Sequence, residues 1–177
     1  MKTYVALLRG INVGGHKLVP MAKLKNVFEG LGFKNVRTTL ATGNVIFDTE
    51  AEKAALRGVI TTALGKAFGF EIPVIIRAAD DMRALTESDP FKGIAVTPQM
   101  RLYVTFLFQK PKSKLRAPYI SSDKSFTIIH ISDTEVISVL TLGPKGGTVD
   151  VMKILEKEFG NDITTRNWNT VLKLVGT

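Results

Sequence analysis

The chain has 177 residues, 45% of them hydrophobic and 23% charged, a composition typical of a globular protein with one domain or two small ones. It contains no cysteine, so disulfides, thiolate metal sites and cysteine nucleophiles are excluded. Its formal net charge of +8 attracts anions such as nucleic acid and phosphorylated metabolites. Most of the basic residues are dispersed, however, whereas nucleic-acid binders usually carry a clustered basic patch.

The first residues run directly into a strand-like segment and lack the apolar stretch and cleavage site of a signal peptide. No apolar run approaches the roughly 20 residues that a helix needs to cross a bilayer. We therefore expect a cytoplasmic protein that does not enter a membrane.

Residues 1–77 alternate between strand and helix patterns in the order β-α-β-β-α-β. Short apolar or β-branched runs predict the strands, and apolar residues at helical spacing predict the helices. The predicted strands cover 4–8, 36–40, 45–47 and 72–76, and the predicted helices follow Pro20 and span 51–68. This order predicts a ferredoxin-like lobe, the split βαβ arrangement with both helices on one face of an antiparallel sheet.

Residues 78–100 are predicted to hold a short helix over 79–86 and then an irregular linker. Residues 101–177 are predicted to form a second α/β lobe. Its elements are strands at 101–108, 125–131 and 135–140, a helix capped by Thr148, and a last helix that carries Trp168. The expected fold is α+β, with two ferredoxin-like (split βαβ) α/β sandwich lobes and antiparallel sheets. No internal repeat is visible at the level of residues.

The loop after the first strand is the first candidate site. Its glycines allow backbone conformations that can turn successive N–H groups towards an anion. Arg9 can hold a planar anion through a bidentate fork, Lys17 adds a mobile charge, and Asn12 can donate and accept. A glycine-rich connection needed only for tight turning is the alternative. The predicted ligand-binding residues in this loop are Arg9, Gly10, Asn12, Gly14, Gly15 and Lys17.

A second Gly-Asn segment, Thr42-Gly43-Asn44, is typical of the turn of a β-hairpin. The sequence does not determine whether this turn lies beside the first loop.

The second candidate site is near the C-terminus. Thr164 or Thr165 is predicted to cap the last helix, whose first turn would then present free N–H groups to an anion. Trp168 can pack into the core or stack on a base. Arg166 can bind the anion or pair with a carboxylate such as Asp162. The predicted ligand-binding residues in this segment are Arg166, Asn167, Trp168 and Asn169.

Acid–base groups are few. The histidines are His16, in the glycine loop, and His130, inside a predicted strand. The spacing of the glycines matches neither a P-loop nor a dinucleotide fingerprint, and no metal-binding or nucleophile motif is present. We expect no metal and no cofactor. This inventory favours binding, or a transferase that works mainly by orienting its substrates.

The glycine loop near the N-terminus and the segment near the C-terminus, together with the motifs between them, are similar to those of a known family. The motifs are Ala6 to Gly15, Val19-Pro20-Met21, Thr42 to Val45, and Thr164 to Thr170. With these motifs the chain resembles the family catalogued as domain of unknown function 1697, whose members more often have Ser where Thr42 stands. The resemblance implies a bacterial-type cytoplasmic protein with ferredoxin-like halves, and it implies no activity.

The sequence is compatible with three functions. The first is the binding of a phosphorylated ligand, a nucleotide or nucleic acid through the Gly/Arg/Asn loop. The second is an enzyme that acts on a phosphorylated small molecule. The third is an interaction protein whose glycine loops only turn the chain.

Overall fold

The structure, a computed structural model, describes residues 1–143 and 149–176. The chain divides into two compact units, one formed by Met1–Glu87 with Lys173–Thr177 and the other by Ser88–Leu172. These units differ from the predicted division into 1–77, 78–100 and 101–177. The helix after residue 78 belongs to the first unit because it continues directly from a strand of that unit and buries Met82.

The first unit contains one four-stranded sheet and three helices. Its elements are β1 (Lys2–Leu8), α1 (Met21–Gly30), β2 (Lys34–Thr39), β3 (Asn44–Thr49), α2 (Lys53–Phe68), β4 (Val74–Ala78) and α3 (Ala79–Glu87). The strand order is β2-β3-β1-β4, and every neighbouring pair is antiparallel. The predicted β-α-β-β-α-β order and antiparallel sheet are therefore confirmed for residues 1–78.

The main core of this unit lies between one face of the sheet and the helices α1 and α2. Alternate residues of β1, namely Tyr4, Ala6 and Leu8, belong to the same buried cluster as Leu24 of α1 and Leu56 of α2. Alternation places successive side chains of a strand on opposite faces, so Val5 and Leu7 point to the other face. Gly69, with φ of 80°, ends α2 in the left-handed conformation that such a helix end requires.

The second unit contains a five-stranded sheet. Its elements are β5 (Met100–Leu107), β6 (Tyr119–Ile120), β7 (Phe126–Ile131), β8 (Glu135–Thr141), α4 (Val151–Phe159), β9 (Ile163–Asn167) and the start of α5 (Trp168–Val175). The strand order is β6-β7-β8-β5-β9, again antiparallel throughout. The core packs one face of this sheet against α4 through residues that include Leu107, Phe126 and Leu155.

The second unit does not have the predicted ferredoxin-like element order. Residues 108–125, all of them described, form an irregular connection with the short strand β6 and contain no helix. This segment carries Pro111 and Pro118 and a run of basic residues, and it lacks the apolar spacing that would bury a helix face. The mixed α+β class and the antiparallel sheet are confirmed, whereas the complete β-α-β-β-α-β order is found only in the first unit.

The predicted cap of the last helix is not observed. Thr164 and Thr165 lie inside β9, and the last helix begins at Trp168. Asp150 caps α4, since its side chain accepts a hydrogen bond from the Lys153 N–H at 3.0 Å. Thr148, which was predicted to cap this helix, lies outside the described residues.

Candidate functional site

Residues 12–17 form a small hairpin at the end of β1. The Asn12 N–H donates to the Lys17 carbonyl at 3.2 Å, and the His16 N–H donates to the Val13 carbonyl at 3.1 Å. Gly14 and Gly15 are the central residues, with φ of 60° and 75°. A type I′ turn requires positive φ at both central positions, so the turn explains both glycines. Binding of an anion by their N–H groups stays a prediction.

The side chain of Asn12 fastens this hairpin to the rest of the first unit. Its Oδ1 accepts a hydrogen bond from the Val19 N–H at 2.7 Å, and its Nδ2 donates to the carbonyls of Val19 at 3.1 Å and Ala41 at 2.9 Å. Both amide hydrogens and the amide oxygen are therefore in use. Asn12 organises the loop, and its amide has little capacity left for a ligand.

The turn between β2 and β3 lies against the same loop, which the sequence alone did not determine. The Leu8 N–H donates to the Gly43 carbonyl at 2.8 Å. Gly43 has φ of 76°, and a Cβ at this position would lie 2.6 Å from Ile11 Cδ1 and 2.9 Å from Leu8 Cβ. Glycine is thus needed at position 43 both for backbone conformation and for close packing. The predicted hairpin turn is confirmed.

Beside the hairpin, two lysines and two phenylalanines form a continuous surface row, which we call the lysine–phenylalanine row. The Lys17 Nζ lies 5.8 Å from the centroid of the Phe70 ring, and the Lys23 Nζ lies 4.9 Å from that of Phe68. The two ring centroids are 6.4 Å apart. Both lysines are exposed and both rings are half-buried. Such distances allow a cation–π attraction between each ammonium group and its ring.

Of the four residues in this row, Lys17 was predicted from the sequence and the other three were not. Lys23 lies in the first turn of α1, while Phe68 and Phe70 flank the glycine that ends α2. The available signal was the Phe-Gly-Phe segment at 68–70, whose two rings are half-buried and also pack against the core of the first unit. Only the packing of α1 beside α2 brings Lys23 to these rings.

The other predicted residues of the loop differ in accessibility. Gly10, Gly14, Gly15 and Lys17 are exposed, and Arg9 is half-buried. The Arg9 N–H donates to the Pro73 carbonyl at 2.9 Å, which ties the start of the loop to the segment before β4. Val13 and Leu18 are also exposed, at 70% and 66%. The hairpin therefore presents apolar and basic side chains together.

The C-terminal segment has a different environment. Arg166 is a strand residue of β9 and is only 8% exposed. Its Nη1 donates to Thr164 Oγ1 at 2.8 Å and to the Thr165 carbonyl at 3.0 Å. Burial lowers the pKa of Arg166 to about 10, so the guanidinium remains protonated at neutral pH. A side chain buried in this way supports the sheet and offers little surface to a ligand.

The residues that follow Arg166 start the last helix. Asn167 Oδ1 accepts a hydrogen bond from the Asn169 N–H at 2.9 Å, as a helix-capping side chain does. Trp168 is 9% exposed, and its ring meets that of Phe91 edge to face at a centroid distance of 5.2 Å. Of the two interpretations of Trp168, the structure therefore favours the core position. Asn169, in contrast, is exposed. A site shared by Arg9 of the first unit and Arg166 of the second stays a prediction.

The described residues include two cavities that are each lined by a single unit. One of about 390 Å³ lies in the first unit and includes Thr3, Arg37 and Ile46. The other, of about 340 Å³, lies in the second unit and includes Tyr103, Met152 and Thr165. Neither is lined by residues of the 12–17 hairpin or by Arg166. Within the described ranges no three His, Asp or Glu side chains gather as a metal site would require, and no helix is long and apolar enough to span a bilayer.

Comparisons with known proteins agree with this architecture. A model of the family described as "Protein of unknown function (DUF1697)" matches residues 1–136. The solved structure of the conserved bacterial protein SP0830 from Streptococcus pneumoniae superimposes with a TM-score of 0.72 at 21% sequence identity, and the alignment covers 99% of this chain and 97% of that chain. This similarity shows a shared fold. No curated protein matches the sequence. The family match covers most of the chain, so the chain belongs to the DUF1697 family.

Proposed function

We propose that this member of the DUF1697 family binds single-stranded nucleic acid through the lysine–phenylalanine row and the adjoining 12–17 hairpin. The observation that carries the proposal is that two neighbouring half-buried aromatic rings lie between two exposed lysines on one surface of the first unit. Proteins that bind single strands without strong sequence preference combine cationic side chains that follow the backbone with rings on which bases stack.

The chemistry of the row suits such a ligand. A lysine ammonium group has three N–H donors. A cation–π contact with a ring does not use all three as hydrogen bonds, so some remain available for a phosphate. Lysine is also flexible, so a base can stack on Phe70 while the Lys17 ammonium moves to a neighbouring phosphate. Base–aromatic stacking stabilises such complexes by about 1–3 kcal/mol per base.

The rigidity of the neighbouring loop favours binding as well. Asn12 makes three side-chain hydrogen bonds to backbone groups of Val19 and Ala41, which hold the hairpin that carries Lys17. A preformed binding surface loses less conformational entropy when its ligand binds. The segment that connects β1 to α1 is therefore already arranged before a nucleic acid arrives.

Two observations support a polymeric ligand over an enclosed phosphorylated metabolite. The two lysines of the row and residues 13–16 of the hairpin are exposed. The surrounding charge is also favourable, since residues 1–77 contain 11 Lys and Arg against 5 Asp and Glu. Glu71, which follows Phe70, is the acidic residue nearest to the row in the sequence, and its charge opposes binding locally.

The proposal is tested by fluorescence anisotropy with a labelled oligothymidylate of 15 nucleotides, titrated over a range of salt concentrations. The double variant Lys17→Gln/Lys23→Gln should bind roughly tenfold more weakly, and its salt dependence should fall by about 1.4 in slope, since each phosphate contact contributes about 0.7 for a single strand. Phe70→Leu keeps apolar packing but removes the ring, and it should weaken binding without changing this slope.

The matched control is Lys34→Gln/Lys124→Gln, which removes two exposed lysines elsewhere and should change binding much less. Equal losses in both double variants would mean that net charge alone binds the oligonucleotide, and the row would have no special role. A mononucleotide that competes as well as the oligonucleotide would instead favour a small phosphorylated ligand.

A further inference from the structure

The connection between β5 and β6 contains a basic segment, residues 110–116, in which exposure alternates from one residue to the next. Every exposed residue of this segment is basic: Lys110, Lys112, Lys114 and Arg116. The residues between them are half-buried: Pro111, Ser113 and Leu115. No turn or bend interrupts the segment, and a period of two residues is that of an extended chain. The four cations therefore follow one another along the outer side, roughly 6–7 Å apart along the chain.

The half-buried side of the basic segment is attached to the second unit. The Ser113 Oγ donates to Glu158 Oε2 of α4 at 2.9 Å and accepts from the Leu115 N–H at 3.0 Å. Leu115 packs against the core between the sheet and α4, and the ring of Pro111 fixes its own φ. The inner side thus holds the segment in place, so the outer cations lose less conformational entropy when a ligand binds.

Three of the four cations have no ionic partner within the described residues. The Lys110 Nζ lies 3.1 Å from Asp133 Oδ2. In contrast, Lys112, Lys114 and Arg116 make neither an ion pair nor a side-chain hydrogen bond in the part of the chain that the structure describes. Like charges held in a line repel one another, and an anionic ligand would relieve this repulsion.

We infer that the basic segment binds the phosphate backbone of nucleic acid, in single-stranded or double-stranded form. A nucleic-acid strand carries one negative charge per nucleotide in a regular line, and a line of cations fits such a polymer better than it fits a compact anion. This inference goes beyond the proposed function, because the basic segment belongs to the second unit and its contacts need no aromatic ring.

The surface of an anionic bilayer is the competing partner. Phe108 and Ile120, on either side of the basic segment, are exposed apolar residues, and exposed apolar side chains beside cations also suit a membrane surface. A bilayer presents its charge in a plane, however, whereas the cations of residues 110–116 follow a single line. The geometry therefore favours the linear polymer.

The test is fluorescence anisotropy with a labelled DNA duplex of mixed sequence, whose paired bases cannot stack on the rings of the lysine–phenylalanine row. The variant Lys112→Gln/Lys114→Gln/Arg116→Gln should bind the duplex roughly tenfold more weakly. Its salt dependence should fall by about 2.7 in slope, since each phosphate contact contributes about 0.9 for B-DNA. With labelled oligothymidylate the slope should fall by about 2.1, from about 0.7 per contact.

The matched control is Lys2→Gln/Lys34→Gln/Lys124→Gln, which removes the same charge from three exposed lysines elsewhere and should change duplex binding much less. Glu158→Gln keeps an acceptor for Ser113 and removes a negative charge beside the basic segment, so this variant should bind the duplex more tightly than the wild type. Circular dichroism and the melting temperature establish that each variant is folded.

Four results would overturn the inference. They are no duplex binding by the wild type, an unchanged affinity in Lys112→Gln/Lys114→Gln/Arg116→Gln, an equal loss in the control, or weaker binding by Glu158→Gln. Sedimentation with phosphatidylglycerol vesicles tests the competing partner. If the triple variant of the basic segment loses vesicle binding but keeps duplex binding, the segment docks on a membrane surface and the inference is wrong.

The failure of this inference and the failure of the proposed function give different results. Phe70→Leu should bind the duplex like the wild type. If Lys17→Gln/Lys23→Gln and Phe70→Leu leave oligothymidylate binding unchanged while the triple variant loses the duplex, the proposed function is wrong and the inference stands. If the triple variant binds the duplex normally while the variants of the row bind oligothymidylate weakly, the inference is wrong and the proposed function stands.

Discussion

The two polar segments of this chain have similar compositions and opposite structural roles. Residues 12–17 form a hairpin whose glycines make a tight turn, and the charged side chain of Lys17 is exposed. Residues 164–169 form the junction between β9 and α5, where Arg166 and Trp168 are buried. A segment rich in Arg, Asn and Gly or Trp can therefore indicate either a ligand site or a buried junction between two elements. Burial separates the two interpretations.

The comparison is most strongly tested at Trp168. Replacing a buried aromatic residue by alanine removes apolar contacts and leaves a cavity, so Trp168→Ala should lower the free energy of unfolding by about 3–5 kcal/mol. Trp168→Phe should cost much less, because it retains an aromatic contact with Phe91. Chemical denaturation measures both. If Trp168→Ala lowered the free energy of unfolding only slightly and also weakened oligonucleotide binding, residues 164–169 would be a ligand site and not only a structural junction.

Gly43 tests whether the β2–β3 turn supports the first segment. Gly43→Ala must accept positive φ and also a Cβ that would lie 2.6 Å from Ile11 Cδ1. We expect a loss of about 2–4 kcal/mol, from backbone strain and overpacking together. Gly69→Ala is a suitable comparison, since Gly69 has φ of 80° but no atom within 4 Å of the added Cβ. If the two variants lose equal stability, the contact with Ile11 is unimportant.

Asn12 tests whether the hairpin is held by its side chain. Asn12→Ala removes three hydrogen bonds to backbone groups, and at about 1 kcal/mol each the loss should be about 2–3 kcal/mol. Asn12→Gly relieves the positive φ of 54° and isolates the contribution of the side chain. Thermal and urea denaturation provide the values. An Asn12→Ala variant with unchanged stability would mean that the amide is available for a ligand after all.

Lys17 should give the smallest effect on stability. Its side chain is exposed, and exposed substitutions normally change the free energy of unfolding by no more than about 0.5 kcal/mol. Lys17→Gln should therefore unfold like the wild type while binding the labelled oligonucleotide more weakly. The opposite pattern, a clear loss of stability with normal binding, would make the contact with Phe70 a structural one.

The first unit was the more predictable half. Its strands are short apolar runs, its helices have one apolar face, and glycine or proline marks most of their ends, so local pattern and final structure agree. In the second unit, the pattern predicted the strands and α4 but assigned Thr164 and Thr165 to a helix start. Cross-strand pairing with β5 overrode that assignment, since Thr164 and Thr165 pair with Phe106 and Thr105.

The two sheets also share a repeat that the sequence alone did not reveal. The first unit has the strand order β2-β3-β1-β4, and four strands of the second have the matching order β7-β8-β5-β9. In each sheet, a Tyr-Val pair on the first strand faces a buried Arg on the last one: Val5 pairs with Arg77, and Val104 pairs with Arg166. These positions are too few and too widely spaced to form a detectable linear repeat.

The α+β class, the order of elements in the first unit, the turn at Gly43 and the family could all be predicted from the sequence. These features depend on local spacing and on backbone conformations that only a few residue types adopt. Tertiary structure decided which polar residues are accessible. It buried Arg166, engaged the amide of Asn12 within the loop, and brought Lys23 beside Phe68. Such outcomes depend on contacts between residues distant in the chain, and no local pattern encodes those contacts.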